Sequence, residues 1–485
     1  MPDSKFINTP LIFRILSFLL IFEAIFMASG LVVAWWFKEP LFPLLISVII
    51  IVVTALIFRG FSKRKERKNI AKREGYLIVT LSWLVISLFG ALPFFISGWI
   101  PSFTDAFFET ISGFTTTGSS ILSDIEALPK NLLYWRAMTH WIGGMGIIVL
   151  TVAILPFLGI GGMQLLTAEM PGITPDKLHP RITATAKRFW GIYVLLTSMQ
   201  VLLLWLGEMD LFDSVCHAFA TMATGGFSTK NDSIAGFSAY SQYIIILFMV
   251  LAGTNFTLHY FALNRQFSKI WKNQEFKVYL GIIASVTLVI TFGLFNDGLE
   301  VENSFRNALF TVVSILTTTG FATANYLLWH PLLWILILSL MFIGGSAGST
   351  GGGIKVVRHL LLVKNSWLEL KRAIHPNAII PVKLNGKSVP QQIIFNVMAF
   401  FLIYVLVFSA GVIIMAFLGM DLETSIGATI ANLGNVGPGI GKVGPVDNYA
   451  HLSVAAKWVL SFLMLLGRLE LFTVLIVLSP AFWRR

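Results

Sequence analysis

The amino-acid sequence predicts an all-α integral membrane protein in which four pseudo-symmetric helix–P-loop–helix repeats surround a central pore, preceded by an N-terminal helix pair. Three observations predict this fold. Long apolar runs recur along the chain, and Lys and Arg gather in alternate connections between those runs. In addition, a Thr/Gly-rich stretch occurs four times at a constant distance after a residue that favours helix N-caps.

Ten apolar runs approach or exceed the ~20 residues that a helix needs to cross a bilayer. Only 12% of the 485 residues are charged, about half the share found in soluble domains. The first run keeps Arg14 and Glu23 and has no small-residue cleavage site, which indicates a retained helix and not a signal peptide. The single cysteine, Cys216, excludes an intramolecular disulfide. The runs are 11–36, 41–58, 76–99, 136–160, 186–207, 240–262, 278–295, 331–347, 391–419 and 455–482.

The net charge of +11 has a distribution that argues against a nucleic-acid partner and for a lipid bilayer. Positive side chains concentrate in connections that all lie on one side if the N-terminus is cytoplasmic, as the positive-inside tendency requires. The opposite connections are acidic and would enrich cations at the outer face. An even number of spans then places both termini in the cytoplasm. The basic segments are 62–74, 177–188, 265–277, 355–387 and 484–485, and the acidic ones are 105–126, 208–213, 297–302 and 421–423.

The runs and connections predict an order of parts along the chain. A helix pair and a basic cytoplasmic linker come first, four pore repeats follow, and a second cytoplasmic linker separates the third repeat from the fourth. The second linker mixes basic and apolar residues, which suits a docking surface or contact with anionic lipid. The parts are 1–61, 62–75, 76–165, 180–272, 276–363, 364–390 and 391–485.

The four recurring stretches are FTTTGSS (114–120), MATGGFST (222–229), SILTTTGFAT (314–323) and LGNVGPG (433–439). Thirteen residues before the aligned glycines Gly118, Gly226, Gly320 and Gly437 stand Asp105, Asp213, Asn307 and Thr424, all of which favour N-caps. The apolar segment between is too short to span a membrane. Each repeat is therefore predicted to hold a short re-entrant helix that ends in an irregular Thr/Gly loop.

Irregular backbone at membrane depth is tolerated where it is buried in protein or lines a wet cavity. Four such loops around one axis could present carbonyl and threonine oxygens that replace the hydration shell of an alkali cation. Helix C-termini directed at that axis add partial negative charge. The alternative is that Gly and Thr only allow close helix packing. The candidate cation ligands are Thr115, Thr116, Thr117, Gly118, Ala223, Thr224, Gly225, Gly226, Thr317, Thr318, Thr319, Gly320, Gly434, Asn435, Val436 and Gly437.

The loop sequences TTTG, ATGG, TTTG and GNVG, with four helix–P-loop–helix units, resemble the Trk/Ktr/HKT superfamily of potassium transporters. The N-terminal helix pair and the length are similar to its bacterial TrkH branch, and the resemblance covers essentially the whole chain. It implies K⁺ uptake across the bacterial inner membrane, K⁺ bound in a selectivity filter, a homodimer, and a cytosolic ring of nucleotide-binding regulatory subunits similar to TrkA. Superfamily members with serine at the position of Gly118 tend toward Na⁺, so the glycine favours K⁺.

Two later features are candidates for a gate. The stretch GGSAGSTGGGIK (344–355) has too many glycines for a stable helix interior. The span should therefore break there and leave a mobile intramembrane loop 344–353. The alternative is that the glycines allow close packing of a neighbouring helix.

The second candidate is Arg468. It follows Gly467, which aligns with Gly144, Gly253 and Gly345 of the other second spans. A buried guanidinium would oppose cation passage, or would form a structural salt bridge. Glu470 points to another helix face and is not expected to be its partner. The gate residues are Gly345, Ser346, Gly348, Gly351, Gly352, Gly353 and Arg468.

Three functional classes fit a protein of this composition. The first is a gated, channel-like cation pathway, the second a carrier that rocks around a midplane site, and the third a membrane enzyme acting on lipid. The enzyme needs clustered catalytic acids, bases or metal ligands, and the sequence contains no such cluster. The carrier needs broken helices in two related halves, whereas the predicted breaks number four at one offset. The pattern therefore favours the cation pathway and a protein that is not an enzyme.

Overall fold

The computed structural model describes residues 7–62, 72–144, 146, 182–378 and 380–484, and these are mostly helical. Most of the basic linker and the end of the first repeat (147–165) lie outside the described residues. Within the described ranges, the only β structure is a hairpin in which Lys383–Leu384 pairs with Lys387–Ser388. This hairpin lies in the predicted second cytoplasmic linker.

The chain begins with two long apolar helices that pack against each other, Thr9–Trp36 and Phe42–Phe61. The side chain of Asn8 caps the first helix by accepting a hydrogen bond from the backbone N–H of Leu11. The hydroxyl of Ser17 donates to the carbonyl of Ala55 at 2.7 Å and joins the two helices inside the apolar layer. Such a bond satisfies a hydroxyl that lipid could not.

The remaining chain repeats the order of first span, short helix, Thr/Gly loop and second span. The first spans are Lys72–Gly90 with Leu92–Ile96, Ile182–Trp205, Gln274–Asn296 and Gln391–Phe417. The short helices are Phe103–Phe114, Leu211–Met222, Val301–Leu316 and Leu422–Leu433. The second spans start with Lys130–Gly144, Ala239–Ala252, Pro331–Leu340 and Val454–Arg468. The helices that follow them are Phe256–Leu263, Phe267–Trp271, Val356–Ile374, Phe472–Leu478 and Pro480–Trp483, and 3₁₀ turns occupy Tyr326–Leu328 and Gly441–Val443. Helix Val356–Ile374 continues across the boundary predicted at residue 363.

Three of the short helices begin one turn earlier than predicted. Their N-caps are Ser102, Asp210 and Asp421, whose side chains accept from the backbone N–H three residues later. The third short helix follows Glu300 and has no side-chain cap. The predicted N-caps Asp105, Asp213, Asn307 and Thr424 are therefore wrong. These residues lie within the helices, where a carboxylate in the first turn still complements the positive end of the helix dipole.

The second spans of repeats 2 and 4 are also broken, which was not predicted. Ala239–Ala252 and Phe256–Leu263 meet at 102°, and Val454–Arg468 and Phe472–Leu478 meet at 119°. By length and composition, the described residues contain six helices able to cross a membrane, or up to eight if each bent pair is one span. Of the ten predicted spans, 136–160 lies partly outside the described residues and 331–347 contains only the short helix Pro331–Leu340.

The outer surface of the helices is apolar. Phe292 and Phe417 are 68% and 88% exposed, and many Leu, Ile and Val side chains are exposed beside them. A continuous apolar exterior of this kind exceeds what soluble proteins expose and fits contact with lipid tails. The prediction of an all-α integral membrane protein is confirmed, and the repeated order of helices is consistent with four repeats.

Candidate functional site

The four Thr/Gly loops, defined as 115–118, 223–226, 317–320 and 434–437, share one backbone conformation. Each starts at the C-cap of its short helix. The second residue and the glycine in the fourth place both have positive φ. The angles are 52° at Thr116, 54° at Thr224, 59° at Thr318 and 53° at Asn435, then 83° at Gly118, 82° at Gly226, 82° at Gly320 and 98° at Gly437. Positive φ is rare for threonine, so its recurrence marks one structural unit used four times.

The fourth-place glycines join the loops into a closed ring. Each glycine faces the carbonyl oxygen of the residue that precedes the glycine in the next loop. Gly118 faces Gly225, Gly226 faces Thr319, Gly320 faces Val436, and Gly437 faces Thr117. A Cβ on any of these glycines would lie closer than 3.0 Å to the facing oxygen, nearer than real Cβ atoms come. Both space and φ therefore require glycine at these positions.

The amide N–H groups of the loops are directed away from the ring, toward the short helices. Each third-place N–H donates to a carbonyl five residues earlier: Thr117 to Ser112, Gly225 to Ala220, Thr319 to Ser314, and Val436 to Ala431, at 2.8–2.9 Å. In the described part of the chain, no donor bonds to the carbonyl oxygens of Thr117, Gly225, Thr319 or Val436. Buried carbonyl groups normally have a partner. Four that have none at one ring are suited to coordinate a cation.

In loops 1 and 3, the hydroxyls of the first-place and third-place threonines bond to each other. The Oγ1 atoms of Thr115 and Thr117 are 2.7 Å apart, and those of Thr317 and Thr319 are 2.8 Å apart. Thr115 also donates to the carbonyl of Ile111 in its short helix. These hydroxyl pairs brace loops 1 and 3 internally. Loop 4 is instead tied by the Asn435 amide, which donates to Thr117 Oγ1 and to the Met464 carbonyl, each at 2.9 Å.

Residues 341–355, here called the glycine loop, contain no helix. The loop is anchored to the break in the second span of repeat 2, where Ser346 N–H donates to the Gly253 carbonyl at 2.9 Å and Phe256 N–H donates to the Gly348 carbonyl at 3.0 Å. The Gly345 carbonyl accepts from the N–H of Val356, and Gly348 and Gly353 have φ of 73° and 64°.

The middle of the glycine loop lies against the ends of three Thr/Gly loops. Thr350 Oγ1 donates to the carbonyl of Met222, just before loop 2, at 3.0 Å. Gly352 N–H donates to Thr318 Oγ1 in loop 3 at 2.7 Å. A Cβ on Gly352 would lie 2.7 Å from Cβ of Asn435 in loop 4, while Gly351 lies against the Thr317 carbonyl. Residues 350–352 therefore sit directly beside the ring.

Arg468 connects the glycine loop to the first repeat. Its Nη1 donates to the Thr350 carbonyl at 2.9 Å, and its Nη2 donates to the carbonyls of Gly143 and Gly144. The glycine loop and Arg468 together contact all four repeats. Glu470 pairs with Arg358, in the first turn of the helix after the glycine loop.

Other charged residues around the glycine loop were not predicted as site residues. Lys355 Nζ donates to the carbonyls of Gly351 and Gly352, and Glu275 accepts from the N–H of Ala347 at 2.6 Å. Lys355 is the last residue of the GGGIK segment (351–355), so its position next to the glycines could have indicated a contact with the glycine loop. Glu275 lies 72 residues away from Ala347, so sequence spacing does not indicate this contact.

A buried ion pair supports the segments that follow loops 1 and 2. Glu109 lies in the short helix of repeat 1, and Arg136 lies in the second span of the same repeat. The Glu109 Oε1 and Arg136 Nε atoms are 2.6 Å apart, and both side chains are almost inaccessible to solvent. Glu109 also accepts from Ile121 N–H after loop 1, and Arg136 donates to the Ser228 carbonyl after loop 2. Asp105, predicted as a cap, pairs instead with Lys457 of repeat 4 at 2.6 Å.

A helical membrane protein with four repeated loops that meet in a ring of backbone oxygens belongs to the class of cation-transport proteins. Residues 44–485 match the model of the TrkH family, described as a cation transport protein. The chain is 45% identical over 428 residues to the Trk system potassium uptake protein TrkH of Escherichia coli (strain K12), covering 87% of this chain and 88% of the relative.

The chain is also 41% identical over 485 residues to the Trk system potassium uptake protein TrkH of Vibrio parahaemolyticus, covering 96% and 99% of the two chains. The crystal structure of the potassium transporter TrkH from that organism matches with a TM-score of 0.88 at 39% identity and covers 98% of this chain and 99% of that one. The chain belongs to the TrkH family. This confirms the family resemblance and the choice of a transport protein over a lipid enzyme.

Proposed function

We propose that the protein takes up K⁺ across the bacterial inner membrane through the ring of the four Thr/Gly loops. The closed order of the loops, with each glycine against the next loop's carbonyl, carries the proposal. Four carbonyls without protein donors around one centre replace the hydration shell of a bare ion. The names of the relatives, which are potassium uptake proteins, support K⁺ as the ion bound there.

The electrostatics of the ring suit a monovalent ion. The four loops contain no carboxylate, whereas protein sites for Ca²⁺ and Mg²⁺ depend on Asp and Glu oxygens. The short helices end at the loops, so their C-terminal dipoles add a modest negative potential there. Acidic connections at the outer face raise the local cation concentration before entry.

The glycine loop and Arg468 form the gate of this pathway. Thr350 and Gly352 lie beside the ends of loops 2 and 3, and Arg468 places a permanent positive charge on the same segment. An ion leaving the ring would meet both the segment and the guanidinium. Opening requires the bonds from Arg468 to Thr350 and from Gly352 to Thr318 to break together. Glycine-rich backbone permits such a movement at low cost.

We propose that a cytosolic partner regulates this gate through the helix Val356–Ile374. It continues directly from the glycine loop and exposes Trp367, Leu370 and Ile374 beside basic side chains. A partner bound there would act on the glycine loop through Lys355, which donates to the Gly351 and Gly352 carbonyls. It would act on repeat 4 through Arg358, which pairs with Glu470. The proposed partner is a ring of nucleotide-binding subunits similar to TrkA, acting on a homodimer with both termini in the cytoplasm.

A second candidate function is a carrier that rocks around the ring. The bends of 102° and 119° in the second spans of repeats 2 and 4 favour it, because they put broken helices in two related halves. The difference is measurable. A gated pathway gives flux that reverses with the K⁺ gradient alone, whereas a carrier saturates and moves a second ion in fixed ratio.

The experiment is flux of K⁺, Rb⁺, Na⁺ and Li⁺ into proteoliposomes, with H⁺ and Na⁺ counter-movement recorded. We expect K⁺ and Rb⁺ to far exceed Na⁺ and Li⁺. The variant Gly118→Ser pushes a side chain against the Gly225 carbonyl and lowers the K⁺/Na⁺ ratio. Gly98→Ser is its control, since Gly98 has φ of 76° with no atom within 4 Å of a Cβ. Equal ratios for the wild type and Gly118→Ser contradict a filter at the ring.

A further inference from the structure

Loop 2 lacks the side-chain supports of the other loops, which are a hydroxyl pair in loops 1 and 3 and the Asn435 amide in loop 4. The third place holds Thr117, Thr319 or Val436 in loops 1, 3 and 4, but Gly225 in loop 2. The first place is Ala223, which has no hydroxyl, and the hydroxyl of Thr224 bonds only to the carbonyl of its neighbour Ala223. The carbonyl that Gly225 contributes to the ring therefore has no support from a side chain of its own loop.

The imidazole of His140 fills the space behind Gly225. A Cβ on Gly225 would overlap three atoms of this ring, all closer than 3.0 Å. The imidazole stacks on Phe227, which follows the ring glycine Gly226, with centroids 4.0 Å apart and an interplanar angle of 20°. Arg136, one helical turn before His140, lies over Phe227 at 3.5 Å from the ring centre. The face of helix Lys130–Gly144 that carries Arg136 and His140 therefore packs against loop 2 and the residue that follows it.

His140 is buried, and neither ring nitrogen has a hydrogen-bond partner among the described residues. A hydrogen-bonding role would leave at least one nitrogen paired. Its contacts are those of a flat spacer between Gly225 and Phe227.

The second repeat contains the counterpart of this arrangement. Gly144 lies against Ala223, the first residue of loop 2, as Gly253 lies against Thr317, the first residue of loop 3. Four residues before each glycine stand His140 and Met249. By this register, the pair of His140 and Gly225 corresponds to the pair of Met249 and Thr319: a broad ring with a glycine in one case, and a slender chain with a threonine in the other.

We propose that His140 is a positioning residue of the filter, which replaces the missing third-place side chain of loop 2 and holds the Gly225 carbonyl in the ring. It thereby sets part of the discrimination between K⁺ and Na⁺. The inference rests on the proposed filter at the four loops. Because the two residues share one volume, they should be exchangeable only as a pair.

The test transplants the pair of Met249 and Thr319 to positions 140 and 225 with the variants His140→Met, Gly225→Thr and the double variant. Gly225→Thr alone overlaps the imidazole and should lower K⁺ uptake about tenfold, as overpacking of a rigid site does. His140→Met alone leaves the Gly225 carbonyl loosely held and should lower the K⁺/Na⁺ ratio severalfold. The double variant should recover both quantities to within about threefold of wild type, a coupling expected for residues in direct contact.

His259→Met is the matched control, since His259 is another mostly buried histidine but bonds to the Leu251 carbonyl away from the ring. Its K⁺/Na⁺ ratio should equal that of the wild type. Size-exclusion profile and thermal unfolding in detergent monitor folding. If Gly225→Thr does not fold, recovery of folding in the double variant is the expected rescue.

Two results overturn the proposal: a double variant no better than the poorer single variant, or a wild-type K⁺/Na⁺ ratio in His140→Met. A His140 that carried protons would make the double variant inactive and flatten the pH profile of uptake, which also overturns it. The variant Gly118→Ser distinguishes a failure of the positioning role of His140 from a failure of the proposed filter. A lowered ratio in Gly118→Ser with unchanged His140 variants removes only the positioning role, whereas unchanged ratios in both remove the filter.

Discussion

Replacing Gly320 by alanine tests the ring directly. Gly320 has φ of 82°, a conformation that costs an alanine ~1–2 kcal/mol. The new Cβ would also overlap the Val436 carbonyl oxygen and lie 2.9 Å from Pro438 Cδ. Relieving the overlap requires the Val436 carbonyl to move by about 1 Å, and overpacking of this kind costs ~1–3 kcal/mol. The total penalty is ~2–5 kcal/mol, part of it concentrated on one ring oxygen.

Gly298→Ala is the matched control, because Gly298 has φ of 94° but no atom within 4 Å of a Cβ. It carries the conformational penalty without the overlap. Both variants are compared with wild type by thermal unfolding in detergent and by K⁺ and Na⁺ uptake into proteoliposomes. We expect Gly320→Ala to be the less stable variant and to lose K⁺/Na⁺ discrimination, while Gly298→Ala keeps it. Indistinguishable stability and selectivity for the two variants would refute the ring.

Three further predictions concern the proposed gate and the N-cap of the fourth short helix. Arg468→Ala removes the fixed positive charge beside Thr350 and should raise K⁺ flux; a normally folded variant with unchanged or lower flux counts against the barrier. Shortening 346–352 should make the closed protein leak K⁺ into proteoliposomes, and unaltered closed-state flux would remove the glycine loop from gating. Asp421→Ala deletes the cap of the fourth short helix and should cost ~1 kcal/mol at neutral pH. The N–H and hydroxyl of Thr424 hold the pKa of Asp421 below its usual range. This stabilisation is therefore present above the unfolded-state pKa of ~3.9 and is lost as pH falls through the lower folded-state pKa. Thermal unfolding of wild type and variant should converge in acid, and a constant difference down to pH 2 would contradict this.

The membrane fold was predictable because its physical signals are local. A long run of apolar residues predicts a membrane span without reference to the rest of the chain. The orientation stays a prediction from the distribution of Lys and Arg among the connections. The ring glycines were also predictable, because positive φ with no room for Cβ leaves only glycine at Gly118, Gly226, Gly320 and Gly437. Four glycines that each lie thirteen residues after an aligned polar residue are hard to obtain by chance.

The remaining features depend on contacts between residues far apart in sequence. The local sequence predicts Asp105 as a helix N-cap, yet Asp105 pairs with Lys457, 352 residues away. Ser102 caps the helix instead. The sharp bend at Gly467–Phe472 interrupts the apolar run 455–482, and the segment 454–472 that contains it has no proline. Its unusual backbone, with φ of 56° at both Glu470 and Leu471, accompanies the pairing of Glu470 with Arg358. Neither contact has a signature in the local sequence.

The closed order of the ring explains why four different loop sequences coexist in it. Each loop supplies a glycine to one neighbour and a carbonyl to the other, so only the backbone conformation and the fourth-place glycine must be shared. The other side chains act behind the backbone, where each loop can be supported differently: by a hydroxyl pair in loops 1 and 3, and by the Asn435 amide in loop 4. A substitution at one ring glycine therefore displaces an oxygen of the following loop and not of its own. In the proposed filter, selectivity is therefore expected to depend on adjacent pairs of loops, and coupling between substitutions should be stronger for neighbouring loops than for opposite ones.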